Sequence, residues 1–330
     1  MHNSQTQEMP VGVIGVGSMG QHHARIYDEL PGAELVGIFD ADDERAREIA
    51  KKHDTDPMSM EELLPAVSAV SIAVPTQFHF DIAKQCLRHS VAPLIEKPVL
   101  ELPEKGEELR FLAEQADVPI QVGHVERFNP AVEVTLDIVQ DLNVLAVNAE
   151  RLGPAPDRTI DDSAVIDLMI HDLDIILSMI EGEPKSVTSA GVRENRYGTA
   201  TIEFESGPVA TLAASRLTQR KVRKLEITAE DCLVEVDYID QSVEIHRQSM
   251  PSYVEEAEGI RYRHESIIER PTVPSSEPLK SELESFLDAV ETGSTPEVSL
   301  SDGLRALELA RTIEQQALDE PVAATPVNDD

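Results

Sequence analysis

Two rhythms of apolar and polar residues divide the chain. Up to residue 124, short unbroken apolar runs alternate with longer stretches in which apolar residues recur every three or four positions. The runs Val11–Val16, Leu35–Asp40, Ala69–Val74, Ala92–Ile95 and Ile120–Gly123 predict strands. Met19–Leu30, Glu44–His53, Phe78–Arg88 and Glu104–Ala116 predict helices. Continuously apolar strands belong to a parallel sheet with helices on both faces, joined by right-handed crossovers. The expectation is an α/β, doubly wound domain over residues 1–124.

The rhythm then changes. Pro130–Gln140 and Ser163–Ile180 have helical spacing. From Ser186 to His246 the pattern is β-branched alternation: Ser186–Val192, Thr199–Phe204, Val209–Ala214, Leu225–Thr228, Leu233–Val236 and Val243–His246. Short turns such as Glu205-Ser206-Gly207-Pro208 separate these runs, which predicts an antiparallel sheet. Leu279–Glu291 and Ser301–Ala317 predict two closing helices, the second capped by Ser301-Asp302. Residues 125–320 therefore read as a second domain, and 321–330 as an acidic tail.

The link between the first strand and first helix is Gly15-Val16-Gly17-Ser18-Met19-Gly20, a G-x-G-x-x-G. Gly15 permits a sharp turn, Gly17 leaves the backbone open to a pyrophosphate, and Gly20 lets the helix lie close to the sheet. The helix N-terminus then faces the phosphates with its N–H groups and dipole. Asp40 closes the second strand, twenty residues beyond Gly20, where an acid meets a ribose hydroxyl. Strand, glycines, helix and acid together predict a Rossmann domain that binds a dinucleotide. Asp40, with Asp42, Asp43 and Glu44 beside it, repels a 2′-phosphate, so NAD is favoured over NADP.

Charge changes the picture of the surroundings. The chain has 330 residues, with 62 acids against 28 bases and a formal net charge of −34. Molar salt screens such a surface to a Debye length of about 3 Å. The composition predicts a protein from a salt-loaded cytoplasm, such as that of a haloarchaeon; a moderately acidic mesophilic protein is the alternative. It argues against nucleic acid or an anionic membrane as partner. Cys86 and Cys232 belong to no C-x-x-C and read as buried or half-buried thiols. The first residues lack the apolar and basic parts of a signal peptide, and no run reaches eighteen apolar residues, so the expected location is the cytoplasm.

Two sets of residues carry chemistry. Glu96-Lys97-Pro98 follows the fourth long apolar run, and strand carboxyl ends line the ligand crevice of an open parallel sheet. A lysine there is placed near cofactor, with Pro98 stiffening the turn and restricting Lys97 to extended geometry; a solvated surface lysine is the alternative. Asp167 and His171 stand four residues apart on a predicted helix, on one face. An imidazole beside a carboxylate makes an acid/base pair. A helix-stabilising pair and a metal site with Asp174 are the alternatives, and no metal is expected because no second His or Cys stands at a ligand-like offset.

These motifs together resemble the glucose–fructose oxidoreductase/inositol dehydrogenase family, over nearly the whole chain. The resemblance rests on Gly15–Gly20, Pro75-Thr76…His79, Glu96-Lys97-Pro98, Asp167-x-x-x-His171 and the terminal stretches Glu282–Leu287 and Leu304–Glu314. It implies a Rossmann domain followed by an α/β domain with a large, mostly antiparallel open sheet, which often forms the interface of a homodimer or homotetramer. It implies hydride transfer between nicotinamide and a sugar or polyol carbon, with Lys97, His171 and Asp167 catalytic. Pro75, Thr76, His79, Glu96, Lys97 and Pro98 join the glycine loop and Asp40 at the cofactor. Within the family, Gly123–Pro130 and Lys221–Tyr238 look like the archaeal UDP-N-acetylglucosamine 3-dehydrogenases, which brings Arg127 and Asn129 to the substrate beside Asp167 and His171. Many members carry an Asn near position 125 that approaches the nicotinamide; here the residue is Val125.

Arg216, Arg220, Lys221, Arg223 and Lys224 place five bases within nine positions of a strongly acidic chain. Bases concentrated this way meet an anion, and guanidinium forks suit phosphate oxygens. A nucleotide-sugar diphosphate on Arg220 and Lys221 is one reading; an inter-subunit salt network is the other. Three functions follow: an NAD-dependent nucleotide-sugar dehydrogenase, a polyol, inositol or free-sugar dehydrogenase, and a non-catalytic NAD-binding regulator.

Overall fold

The computed structural model describes residues 8–155, 162–248, 252–256, 259–263 and 265–319. The tail expected at 321–330 lies outside them. The chain divides into two compact units: residues 1–129 with 275–307, and residues 130–274 with 308–330.

The first unit runs β1 (Met9–Ile14), α1 (Gly20–Glu29), β2 (Ala33–Phe39), α2 (Asp43–Lys52), β3 (Asp56–Pro57), α3 (Met60–Leu63), β4 (Ala69–Ile72), α4 (His79–Arg88), β5 (Ala92–Glu96), α5 (Gly106–Ala116) and β6 (Gln121–Gly123). The strands pair in parallel in the order β3-β2-β1-β4-β5-β6. The order reverses beside β1, and that reversal opens a crevice at the strand carboxyl ends. Every residue of β4 and β5 is buried, as continuous apolar runs require. Asp42 caps α2, its carboxylate accepting from the N–H groups of Glu44 and Arg45.

The second unit begins with α6 (Pro130–Val139) and β7 (Val144–Leu152). A π-helical turn, Val165–Met169, leads into α7 (Ile170–Met179). Then come β8 (Pro184–Val192), β9 (Tyr197–Phe204), β10 (Val209–Ser215), β11 (Val222–Ala229), β12 (Cys232–Asp237), β13 (Ser242–Gln248), β14 (Ser252–Glu256), β15 (Gly259–Arg263) and β16 (Ser266–Glu269). Among the described residues, eight strands form one sheet in the order β16-β13-β12-β11-β7-β10-β9-β8. All its pairings are antiparallel except β10 with β7. The strands alternate buried and exposed positions, so one face meets helices and the other is open.

The boundary differs from the sequence expectation. The chain closes with α8 (Pro278–Thr292) and α9 (Leu300–Asp319). Leu279, Leu283, Phe286 and Leu287 of α8 join Val13, Tyr27, Ala92 and Leu94 in one buried core, so α8 belongs to the nucleotide-type unit and not to the second domain. An amphipathic pattern fixes that a helix buries one face, not which core receives it. The α9 cap is also corrected. Ser299 occupies the N-cap, its hydroxyl and N–H both bonding Asp302, whose own N–H returns to the Ser299 hydroxyl. Cys86 and Cys232 are free and buried.

Phe286 is fully buried among these residues. Phe286→Ala is expected to lower the stability of this unit by about 3–5 kcal/mol. Leu318→Ala, at an exposed site, is expected to cost under about 0.5 kcal/mol. Urea unfolding curves of the two variants check both values.

Candidate active site

The first unit supplies a dinucleotide cradle. Gly15 follows β1 with φ +86°, in the left-handed region, and a Cβ there would lie 2.6 Å from Val74 Cγ1. A Cβ on Gly20 would lie 1.8 Å from the Gly15 carbonyl oxygen, so α1 begins directly on the turn. Gly17 differs from both: a Cβ there would meet nothing within 4 Å. Its lack of a side chain relieves no contact inside the protein and leaves room for a group from outside. Ser18 and Met19 are exposed beside it. α1 has no side-chain cap and no acid in its first turn, so its N-terminus is ready for an anion.

Asp40 stands at the end of β2 with both oxygens engaged. Oδ2 accepts the Val16 N–H at 2.7 Å and Oδ1 the Asp42 N–H at 2.9 Å. This fixes the carboxylate against the glycine loop, with lone pairs left for ribose hydroxyls. Arg45 Nε donates to the Val16 carbonyl at 2.5 Å. The set fits NAD: open backbone at Gly17, a bare helix terminus, and a fixed acid.

The ends of β4 and β5 lie on the same sheet edge as the turn after β1, because the three strands are parallel neighbours. Pro75 is exposed and Thr76 half-buried at the β4 end. His79 is buried; Nε2 lies 2.9 Å from the Val74 carbonyl and Nδ1 3.1 Å from that of Pro98. Burial pushes its pKa below the ordinary imidazole value, although the backbone carbonyls favour the charged ring. The ring ties the β4 and β5 ends together. Glu96 is buried, Lys97 half-buried and Pro98 buried, with the Lys97–Pro98 peptide cis. Burial works against the Glu96 charge, but the His23 hydrogen bond, with the nearby Lys97 ammonium, outweighs it and holds the carboxyl below the usual range.

The turn after β6 contains His124, Arg127 and Asn129, all buried. Asn129 Nδ2 donates to Glu126 Oε2 at 3.2 Å. Val125 packs against the core of its unit.

The second unit holds Asp167 within the π-helical turn and His171 in the first turn of α7, both half-buried. The sequence expectation of one uninterrupted α-helix is thereby corrected; π-turns occur often at functional sites. An Arg216 amine donates to Asp167 Oδ2, and another to the Asp162 carbonyl. One turn on, Asp172 takes a two-pronged bond from buried Arg151, at 2.8 and 2.9 Å. Asp174 is buried. Among the described residues, the one set of three or more His, Cys or acid side chains whose ligand atoms all lie within 4.8 Å is Glu235, Glu244 and His246, on β12 and β13.

The five bases read as one anion-binding segment separate. Arg216 is buried on Asp167, and Arg223 donates to the carbonyls of Leu152 and Val222 at 2.7 Å. Arg220, Lys221 and Lys224 stay exposed. Sequence reasoning missed Arg216 as the partner of Asp167, Arg151 as the partner of Asp172, and His23 as the partner of Glu96. For His23 a signal existed: a histidine on the buried face of a helix needs polar partners.

Comparison with known proteins decides the family. Residues 9–124 match the model described as "Oxidoreductase family, NAD-binding Rossmann fold", and residues 143–235 match the GFO/IDH/MocA C-terminal domain. The UDP-N-acetylglucosamine 3-dehydrogenase of Acidithiobacillus ferrooxidans is 33% identical over 290 residues, covering 86% of this chain and 88% of that protein. This chain belongs to the Gfo/Idh/MocA oxidoreductase family. A solved structure of the Acidithiobacillus enzyme superimposes with a TM-score of 0.85 at 31% identity, over 95% of this chain and all of that one. An inositol 2-dehydrogenase of Rhizobium meliloti is 27% identical over 318 residues, 91% of this chain and 94% of that protein. The narrower expectation of an archaeal subgroup is corrected, since the similar 3-dehydrogenase is bacterial. The protein is an oxidoreductase acting on CH–OH groups, with NAD as cofactor. No helix among the described residues is long and apolar enough to cross a membrane.

The last two glycines of the motif, Gly17 and Gly20, separate folding from binding. Gly17→Ala is expected to leave the melting temperature within about 2 °C of wild type, because the added methyl meets open space, while NADH affinity falls at least about ten-fold. Gly20→Ala, driven into the Gly15 carbonyl, is expected to lose both. Melting curves and NADH fluorescence titration check the pair.

Proposed function

We propose that this protein oxidises a secondary alcohol on a nucleotide sugar, C3 of UDP-N-acetylglucosamine, to the ketone. The observation that carries the reading is the 33% identity over 290 residues with a UDP-N-acetylglucosamine 3-dehydrogenase. The exposed bases Arg220, Lys221 and Lys224 support it, because a neutral polyol offers them nothing.

In this reading His171 takes the hydroxyl proton and Asp167 orients its ring. Arg216 holds the Asp167 carboxylate in place. Lys97 gives a hydrogen bond and positive charge to the developing alkoxide. The glycine loop, Asp40 and the β4 and β5 ends hold NAD, with Pro75, Thr76, His79, Glu96 and Pro98 shaping that edge. When bound, NAD supplies the hydride acceptor. Arg127 and Asn129 contact the sugar, and Arg220 and Lys221 the diphosphate. The charge of −34 suits a halophilic, cytoplasmic protein, and the open face of the eight-stranded sheet suits a homodimer or homotetramer.

An inositol or free-sugar dehydrogenase is the second reading, supported by the 27% identity with the Rhizobium enzyme over nearly the whole chain. NAD reduction in molar KCl, with UDP-N-acetylglucosamine beside myo-inositol, glucose and UDP-glucose, separates the two. The expected result is turnover of UDP-N-acetylglucosamine to a product two hydrogens lighter by mass spectrometry. Turnover of myo-inositol alone establishes the second reading; no turnover with any sugar despite tight NADH binding establishes a regulator.

Lys97→Ala is expected to lower kcat by about 10²–10⁴-fold while NADH still binds; near-normal turnover would remove Lys97 from the chemistry. Arg220→Ala with Lys221→Ala is expected to raise the KM for the nucleotide sugar about ten-fold and leave that for NAD unchanged. Equal effects on both substrates, or on neither, exclude the diphosphate role.

A further inference from the structure

The roles assigned above leave the buried His23 unused. His23 sits on α1, three residues beyond Gly20, with no exposed surface. Nε2 lies 3.0 Å from Glu96 Oε1. Nδ1 lies 2.9 Å from Ser71 Oγ, which is itself 2.9 Å from the Tyr27 hydroxyl. The other Glu96 oxygen, Oε2, accepts the backbone N–H of Lys97 at 3.2 Å. A Cβ on Gly123 would lie 3.2 Å from the Glu96 carboxyl carbon, so the glycine is what lets the carboxylate sit against β6. An unbroken string of hydrogen bonds thus runs from Tyr27 to the residue proposed to meet the alkoxide.

The donors in this string point one way. An ionised carboxylate only accepts, so the proton lies on His23 Nε2. A neutral ring then accepts at Nδ1, so Ser71 donates to it and Tyr27 donates to Ser71. Burial pushes the Tyr27 phenol well above its ordinary pKa, which keeps it a donor. With the ring neutral every group in this order has its partner, and a buried string that is fully satisfied is rigid. α1, which carries His23, is also the helix that the glycine loop sets against the sheet.

We propose that His23 is a positioning residue for Lys97: it locks Glu96, and Glu96 locks the backbone that presents the Lys97 ammonium. The inference rests on the reading of Lys97 given above and deepens it. An isolated packing role for His23 predicts loss of stability and nothing specific to Lys97. A positioning role predicts an effect that disappears when Lys97 is gone.

The experiment uses the full chain with His23→Ala, His23→Gln, Lys97→Ala and the double variant His23→Ala/Lys97→Ala. Three quantities are read: turnover of UDP-N-acetylglucosamine with NAD, NADH affinity by fluorescence, and the rate of Lys97 acylation by acetic anhydride, followed by mass spectrometry. His23→Ala is expected to lower kcat about 10–100-fold with NADH affinity within about three-fold, and to raise Lys97 acylation at least about three-fold. His23→Gln, whose amide still donates to Glu96, is expected to recover most of both. In the Lys97→Ala background, His23→Ala is expected to change kcat by less than about two-fold. An equal loss in both backgrounds, or Lys97 acylation unmoved by His23→Ala, overturns the proposal. Wild-type turnover in Lys97→Ala overturns the catalytic reading instead, and acylation then decides by itself whether His23 places Lys97. Where His23→Ala does not bind NADH, Ser71→Ala breaks the string one bond away and carries the same cycle.

Discussion

A helix starts here where no side chain fits. The Gly15 carbonyl oxygen lies 1.8 Å from the place a Cβ on Gly20 would take. Any other residue would lift α1 off the turn. Three consequences follow from that one approach. The bare first turn of α1 comes up beside the open backbone of Gly17. Val16, held between the two, aims its N–H at Asp40. And the buried face of α1 brings His23 and Tyr27 onto Ser71 of β4 and Glu96 of β5. The cofactor cradle and the support behind Lys97 are two sides of one helix placement.

The nucleotide half of the site was legible because its constraints are local. A glycine required by φ at 15, a glycine required by contact at 20, and an acid at a fixed distance along the chain are all written in the order of residues. The parallel sheet was legible for the same reason: buried strands need unbroken apolar runs, and β4 and β5 have them. Where the constraint is between distant segments, the pattern was silent. Strand β7 sits in the middle of the large sheet, yet it reads Val-Leu-Ala-Val-Asn-Ala-Glu-Arg-Leu and was not predicted. Its buried position 151 is an arginine, made tolerable by Asp172 on α7, and no window of sequence shows that pairing. The strands β14 to β16 and the short β3 also escaped. The π-turn at Val165–Met169 has apolar residues that suit either helical form, so spacing could not distinguish it.

The candidate chemistry shows the same division. Asp167 and His171 stood out by their spacing, but the group that holds Asp167 lies forty-nine positions away. Read in sequence, Arg216 belonged with four other bases. In the structure it leaves them, because β10 carries it to the π-turn while Arg220 and Lys221 stay in the loop before β11. Clustering along the chain is weak evidence for a shared partner whenever a strand end intervenes.

With 28 bases against 62 acids, where the bases go is itself informative. Arg127, Arg151 and Arg216 are buried. In molar salt an exposed ion pair is screened within about 3 Å and adds little. A buried pair is screened much less, and losing one partner leaves an uncompensated charge in a low dielectric. Exposed pairs such as Arg110–Glu107 and Arg270–Glu244 also occur, but the buried ones are those that fix geometry. The Arg151–Asp172 and Arg216–Asp167 pairs brace the helix that carries His171, and the His23–Glu96 pair braces the turn that carries Lys97. Exposed bases contribute least to the fold under the same conditions.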